Sequence, residues 1–456
     1  MRRLAAVAWA TLTLATACTD DHVQPLESPS PTPVKFVSTG ACRPAPPDEL
    51  INLPIAPPSR RVDLAQPTFS RPTEVTNPLF PIKALRHAVL VGQVDGADFR
   101  AETTLMPATK TIEFAGGPVQ NLVSQYVAYL DGRLHEVALD WYAQADDGSV
   151  WYFGEDVFNY EDGKVADTHG TWISCKDGPP AMIMPARPKV GDVFRVENIF
   201  PVVFEEVEVI GIGQTVPGPL GPVSGAITVQ QLHLDGSYAP KTFAPGYGEF
   251  STGSGIDIEA LAVAEPTDRA AGRMPGDLEA VLDGTEEAFE AVSKGNWARA
   301  SRQAARAAAG WRGYQASGAA PTLLAPLTTA AIDALERAVS AREAETARQA
   351  AVTAERRGLD LLVRHAEVRA VDLARLEAFS RQLAIDADAE DEGGARGTVV
   401  VLGLILDRLE GSGDAKFKRQ LADARELLAK AMKATDAADF GAVATLAVRL
   451  ERLIDD

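Results

Sequence analysis

Basic residues are scarce: 44 Lys and Arg stand against 63 Asp and Glu, a formal net charge of -19. That deficit excludes the sequence-independent phosphate contacts of nucleic-acid binders and polybasic docking to anionic lipid, and leaves a cationic partner electrostatically easier. Histidine is thin too. His22, His87, His135, His169, His233 and His365 are scattered without zinc-site spacing, and His135-Glu136 lacks the second His of H-E-x-x-H. With only His365 in the C-terminal half, the repeated Glu-x-x-His of a ferritin-like centre is excluded. The glycines of GYGEFSTGSG (246–255) open no helix, and Ser254 is no nucleophile elbow, so neither a nucleotide loop nor a Ser, His, Asp set is legible. No cofactor is expected. Long hydrophobic runs are also missing: residues 4–17 and TVVVLGLIL (398–406) fall short of the roughly 20 residues that span a bilayer.

What the short N-terminal run does match is a secretory signal, with Arg2 and Arg3 as its basic flank. Leu14-Ala15-Thr16-Ala17-Cys18 resembles the bacterial lipoprotein signal, in which the cysteine is acylated and becomes the new N-terminus; Ala15-Thr16-Ala17 also satisfies ordinary signal cleavage. Either way the mature chain is expected outside the cytoplasm, with Cys18 the lipidation site and the membrane a partner through that lipid. Of three cysteines, Cys42 and Cys175 then remain, as a disulfide or as two free thiols. A bridge would close a loop worth roughly 4 to 5 kcal/mol in chain entropy.

Four regions follow. Residues 1–18 are the signal; residues 19–67 form a Pro-rich tether that includes ESPSPTP and RPAPPDE. Residues 68–266 alternate polar and apolar, punctuated by Asp95-Gly96, Gly116-Gly117, Asp131-Gly132, Asp147-Gly148, Asp162-Gly163 and Asp235-Gly236, the strongest short-range hairpin signal. The pattern predicts strands near 87–94, 98–105, 119–130, 133–144, 149–159, 204–213, 223–234 and 256–264. Residues 275–456 shift to Ala, Leu, Arg and Glu with helical period, as in Leu373, Leu376, Phe379 and Leu383. A weak repeat relates Ala291/Trp297, Ala338/Ala344 and Ala434/Phe440, with Gly393 near the missing step. About eight helices are expected, as four stacked pairs or as two four-helix bundles with no true repeat. The fold class is therefore α+β and multidomain: an antiparallel meander, curved or an open barrel, followed by an all-α region.

The densest chemistry lies in DWYAQADDGSVWYFGEDV (140–157), rich in carboxylates and aromatics and devoid of Lys and Arg. A two-residue turn at Asp147-Gly148 pairs Asp140 with Glu155, Tyr142 with Phe153 and Gln144 with Trp151, on one face. Facing carboxylates repel unless a cation lies between them or one keeps a proton, so the face formed by Asp140, Tyr142, Trp151, Phe153 and Glu155 is a candidate cation or ligand site. A longer loop would shift this register, and a solvated sheet edge would make the pair inert. The three rings could stack a sugar or aromatic ligand or simply pack.

TNPLFPI (76–82), ALDWYAQADDGSVWYFGEDVFNYEDG (138–163), MIMPARPKVGD (182–192) and FAPGYGEFSTG (243–253) resemble a family of secreted proteins and lipoproteins, mostly actinobacterial. The resemblance implies an exported β domain and carries over no catalytic residue; the helical half resembles exported α-helical bundles only generically. The expected role is non-enzymatic binding of a ligand or protein partner at the cell envelope. The alternatives are a cell-surface hydrolase using a carboxylate pair such as Asp140 and Glu155, and a helical half that only spaces or oligomerises the chain.

Overall fold

Residues 51–455 are described by a computed structural model, together with Cys42, Ala45, Pro47 and Asp48. The signal region, its Cys18 and most of the tether lie outside the described residues.

Turn chemistry sets the first meander. Strands β1 (His87–Val94), β2 (Ala97–Phe114), β3 (Gly117–Leu130), β4 (Arg133–Gln144) and β5 (Val150–Glu161) run up and down in sequence. Asp95-Gly96 and Asp131-Gly132, like Asp162-Gly163 after β5, take positive φ at both positions, the two-residue geometry whose twist suits paired strands. The β2–β3 turn centres on Ala115-Gly116, one place before the expected Gly116-Gly117. Three short strands, β6 (Lys164–Asp167), β7 (Trp172–Ile173) and β8 (Ala181–Met184), cover the outer edge of β5 in succession.

A second meander, β9 (Val193–Ile199), β10 (Val203–Gly218), β11 (Gly221–His233), β12 (Tyr238–Ala244), β13 (Gly248–Ser254) and β14 (Asp257–Glu265), joins the first through β14 against β1. The result is one open, curved, 14-stranded antiparallel sheet. All eight expected strands are present. Sequence reading passed over β6, β7, β8, β9, β12 and β13, which are short or interrupted by Pro240, Gly248 and Gly253.

Eight helices follow and pack on the convex face over β1 to β4 and β14: α1 (Gly276–Ser293), α2 (Trp297–Ala316), α3 (Leu324–Ala341), α4 (Ala344–Leu362), α5 (Val368–Asp388), α6 (Glu392–Leu409), α7 (Ala415–Asp436) and α8 (Phe440–Asp455). The helices form pairs at the expected period, and the bundle alternative is met in its packing but not in its lack of a repeat. Gly295, Arg342, Glu390 and Ala438, at roughly 48-residue steps, each adopt the left-handed conformation in the turn of a helix pair. The four pairs then assemble as two four-helix bundles, α1–α4 and α5–α8.

The bundles close onto the sheet. Val89, Val91, Ala262 and Val263 enter the core of the first bundle, and Val127, Tyr129, Leu134 and Val137 that of the second. Between them a dry charge network crosses the interface. Glu102 on β2 binds Arg100 at 2.8 Å, Arg375 of α5 at 3.0 Å and Arg408 of α6 at 2.6 Å, while Asp360 of α4 holds Arg100 and Arg375. His87 Nε2 lies 2.9 Å from Arg375 and its Nδ1 2.8 Å from Thr104 Oγ1. Since an arginine only donates, His87 must accept there and is neutral.

Cys42 and Cys175 are paired as a disulfide. The described end of the expected tether is no free chain: Ile51 is buried, Ala56 N–H donates to Glu206, and Arg61 bridges to Val193 of β9. Further on, Asp146 accepts from Thr68 and Ser70, and Gln144 from the backbone of Thr76 and Asn77.

Candidate functional site

The opening hairpin reaches its register by an unexpected route. Ala145 and Ser149 close a three-residue loop in which Gly148 alone takes positive φ, so Gln144 pairs with Val150 and Tyr142 with Tyr152. A bulge at Phe153-Gly154, opposite Trp141, then returns the extra residue, and Asp140 stands directly across from Glu155.

This geometry divides the predicted face. Asp140, Tyr142 and Glu155 line the concave side of the sheet with Tyr152. Trp151 and Phe153 point to the other side, a correction to the expected single face: the loop and bulge change the parity of β5 between them. Phe153 is fully buried against Phe69 and Phe114, and Trp151 is tied to Ser149 through its indole N–H. Those two rings are core, so of the two readings of Tyr142, Trp151 and Phe153 it is packing, not a common stacking platform, that the fold realises. Trp141 is buried on that other side beneath Lys110 Nζ, 3.2 Å from its ring centre. Tyr152 is on the concave wall, where it stacks on Tyr142 at 4.7 Å and donates to Asp140 Oδ1 at 2.8 Å.

Alternation along the other strands brings more acids onto the same wall. Glu136 of β4 lies two residues before Ala138 and four before Asp140. Glu197 of β9 pairs with Glu205 of β10, Glu205 with His233 of β11, and Glu259 of β14 with Thr252 of β13. Glu249 of β13 holds the Lys241 ammonium at 2.9 Å. Seven carboxylates from six strands thus act on one another across the hollow, with one lysine and one histidine among them. Most remain partly solvent-accessible although they sit within the curve of the sheet.

Crowding and burial shift their titration. Burial is the largest influence on each raised member, and neighbouring charges add to it. Glu136 and Asp140 are pushed up to about 7, Glu197 and Glu259 to about 8, and Glu155 well above the usual carboxylate range. Glu155 and Glu197 share a hydrogen bond, which requires a proton on one of them. Glu205 goes the other way: burial raises it, but hydrogen bonds with His233 and Gln231 and the Lys241 charge prevail and lower it.

Sequence reading found Asp140 and Glu155 and missed Glu136, Glu197, Glu205, Gln231, His233, Lys241, Glu249 and Glu259. One signal was available: Glu205 shares strand parity with buried Val207 and Val209, whereas Glu206 and Glu208 fall on the opposite face. Among the described residues no three of His, Cys, Asp and Glu are placed to hold a metal ion, and no helix is long and apolar enough to cross a membrane. No family model, curated protein or solved structure matches this chain.

Proposed function

We propose that the protein is an exported binding protein of the cell envelope, anchored by lipid at Cys18, whose ligand enters the concave face of the sheet. One observation carries the reading: an excess of interacting, partly solvent-accessible carboxylates is gathered on that face, where a solvated surface would disperse them. The anchor rests on the Cys18 signal and is consistent with the Cys42–Cys175 pair, which suits an oxidising compartment. The helical half supports the reading as a backing for the sheet, its bundles being packed against the convex side.

The second reading, a hydrolase using Asp140 and Glu155, draws on their direct opposition. Acid and base chemistry wants one member raised and the other ionised, whereas burial raises both here.

Native mass spectrometry of the detergent-extracted protein from its host tests the proposal. The expected result is a chain beginning at Cys18 with added acyl mass, carrying a small-molecule adduct that Glu155→Gln loses. A soluble chain with unmodified Cys18 replaces the anchor by plain secretion. An adduct-free wild type that also ignores a small-molecule panel removes the ligand reading.

A further inference from the structure

We infer that the acidic hollow takes an organic cation bearing several ammonium groups, an alkyl polyamine by class, in exchange for protons; the inference rests on the ligand-site reading above. Lys241 shows what the wall accommodates. Its ammonium is held by Glu249, with Glu205 and Glu259 as its other acidic neighbours. Glu136, Asp140, Glu155 and Glu197, also on the wall, have no Lys or Arg in ion-pair contact among the described residues. One resident ammonium therefore serves seven carboxylates.

A second, independent observation concerns Gln231. This side chain is only 2% exposed and faces the hollow beside Glu205. Its Nε2 donates to Glu205, and its Oε1 has no partner. A buried acceptor among acceptors calls for an incoming donor, since leaving it unmet costs about 1–3 kcal/mol. A bare metal ion fits poorly, because no three acidic or histidine side chains are placed to share one. Ammonium groups on an alkyl chain answer both features: N–H donors for separated carboxylates and Gln231, and methylenes for the Tyr142–Tyr152 stack and Tyr126.

Charge balances by exchange. An ammonium bound beside a protonated carboxyl, such as one of the hydrogen-bonded Glu155–Glu197 pair, ionises it, and that proton leaves to solvent. Affinity therefore rises with pH from about 6 to 8.5, while alkyl ammonium groups stay charged.

Isothermal titration calorimetry of the full-length chain in detergent tests this, with spermidine as probe and 1,8-octanediol, maltose and calcium as comparators. The expected result is saturable spermidine binding at pH 7.5 whose heat depends on the ionisation enthalpy of the buffer. The double substitution Glu155→Gln/Glu197→Gln and, separately, Gln231→Leu should each weaken it about tenfold or more, whereas Asp423→Asn/Glu426→Gln on the surface of α7 should not. If the double variant fails to fold, Gln231→Leu carries the same comparison. Equal affinity in wild type and hollow variants would mean diffuse attraction to an acidic chain and overturns the inference. Binding of octanediol, maltose or calcium that responds to the hollow variants, without spermidine binding, overturns the cation class and leaves the ligand site standing. No binding of any probe overturns both.

Discussion

Asp140 and Glu155 face each other across β4 and β5 because Phe153 and Gly154 together oppose the single residue Trp141. The bulge is held from outside: Gly154 has φ 121° and pairs with Ile173 of β7, and a Cβ there would lie 2.2 Å from the Trp172 carbonyl oxygen. Gly154→Ala therefore meets both a disfavoured conformation and backbone atoms. Chemical denaturation should show a loss of more than about 2 kcal/mol. A loss under half that would mean that the bulge relaxes and does not fix the acid pair.

Asp140→Asn keeps an oxygen for the Tyr152 hydroxyl and removes a charge whose ionisation is resisted up to about pH 7. At pH 8 the variant should be more stable than wild type by about 2–4 kcal/mol, a lead that shrinks to about 1–2 kcal/mol near pH 5 and vanishes only below about pH 4. Thermal unfolding at pH 8 and at pH 5 checks this. Destabilisation at pH 8, or an equal shift at both, would contradict the titration assigned to Asp140.

The empty protein should also respond to pH in an unusual sense. Glu136, Asp140, Glu155, Glu197 and Glu259 bind protons more tightly folded than unfolded, so their contribution is complete below the unfolded values near 4 and is lost as pH rises through about 7 to 8. His87 and His365 are shifted down, chiefly by burial, and act in the opposite sense only below about 6.5. Between pH 8 and 6.5 stability should therefore increase on acidification. Urea unfolding across that window decides the matter, a flat or falling profile being the contrary result.

Glu102→Gln strips the central carboxylate from Arg100, Arg375 and Arg408 and leaves three guanidinium groups crowded at the interface. The expected cost is about 3–5 kcal/mol. Hydrogen exchange should show it as lost protection in β1, β2, α5 and α6 together, and a loss confined to β2 would count against a shared network.

Where periodicity was strong, the architecture was legible. The Asp-Gly turns placed the long strands because paired positive φ values admit few other structures, and the helix-pair repeat is visible in the turn positions themselves. What escaped was set by distant partners. The edge strands β7 and β8 exist because β5 offers them its free side, and no local pattern in WI or AMIM announces that. The acids of the hollow come from strands far apart in sequence, so only the sheet order reveals that Asp140 and Glu249 share a field. Asp140 opposite Glu155 was read through a two-residue turn; the chain arrives there with a longer loop and a bulge that cancel.

Two bundles bolted to the convex face give the sheet a stiff backing. Where they pack, over β1 to β4 and β14, they brace strands that carry Glu136, Asp140 and Glu259 on the opposite side. The ligand proposed for this face would meet that part of its wall already held in place and spend less of its binding energy on shaping it.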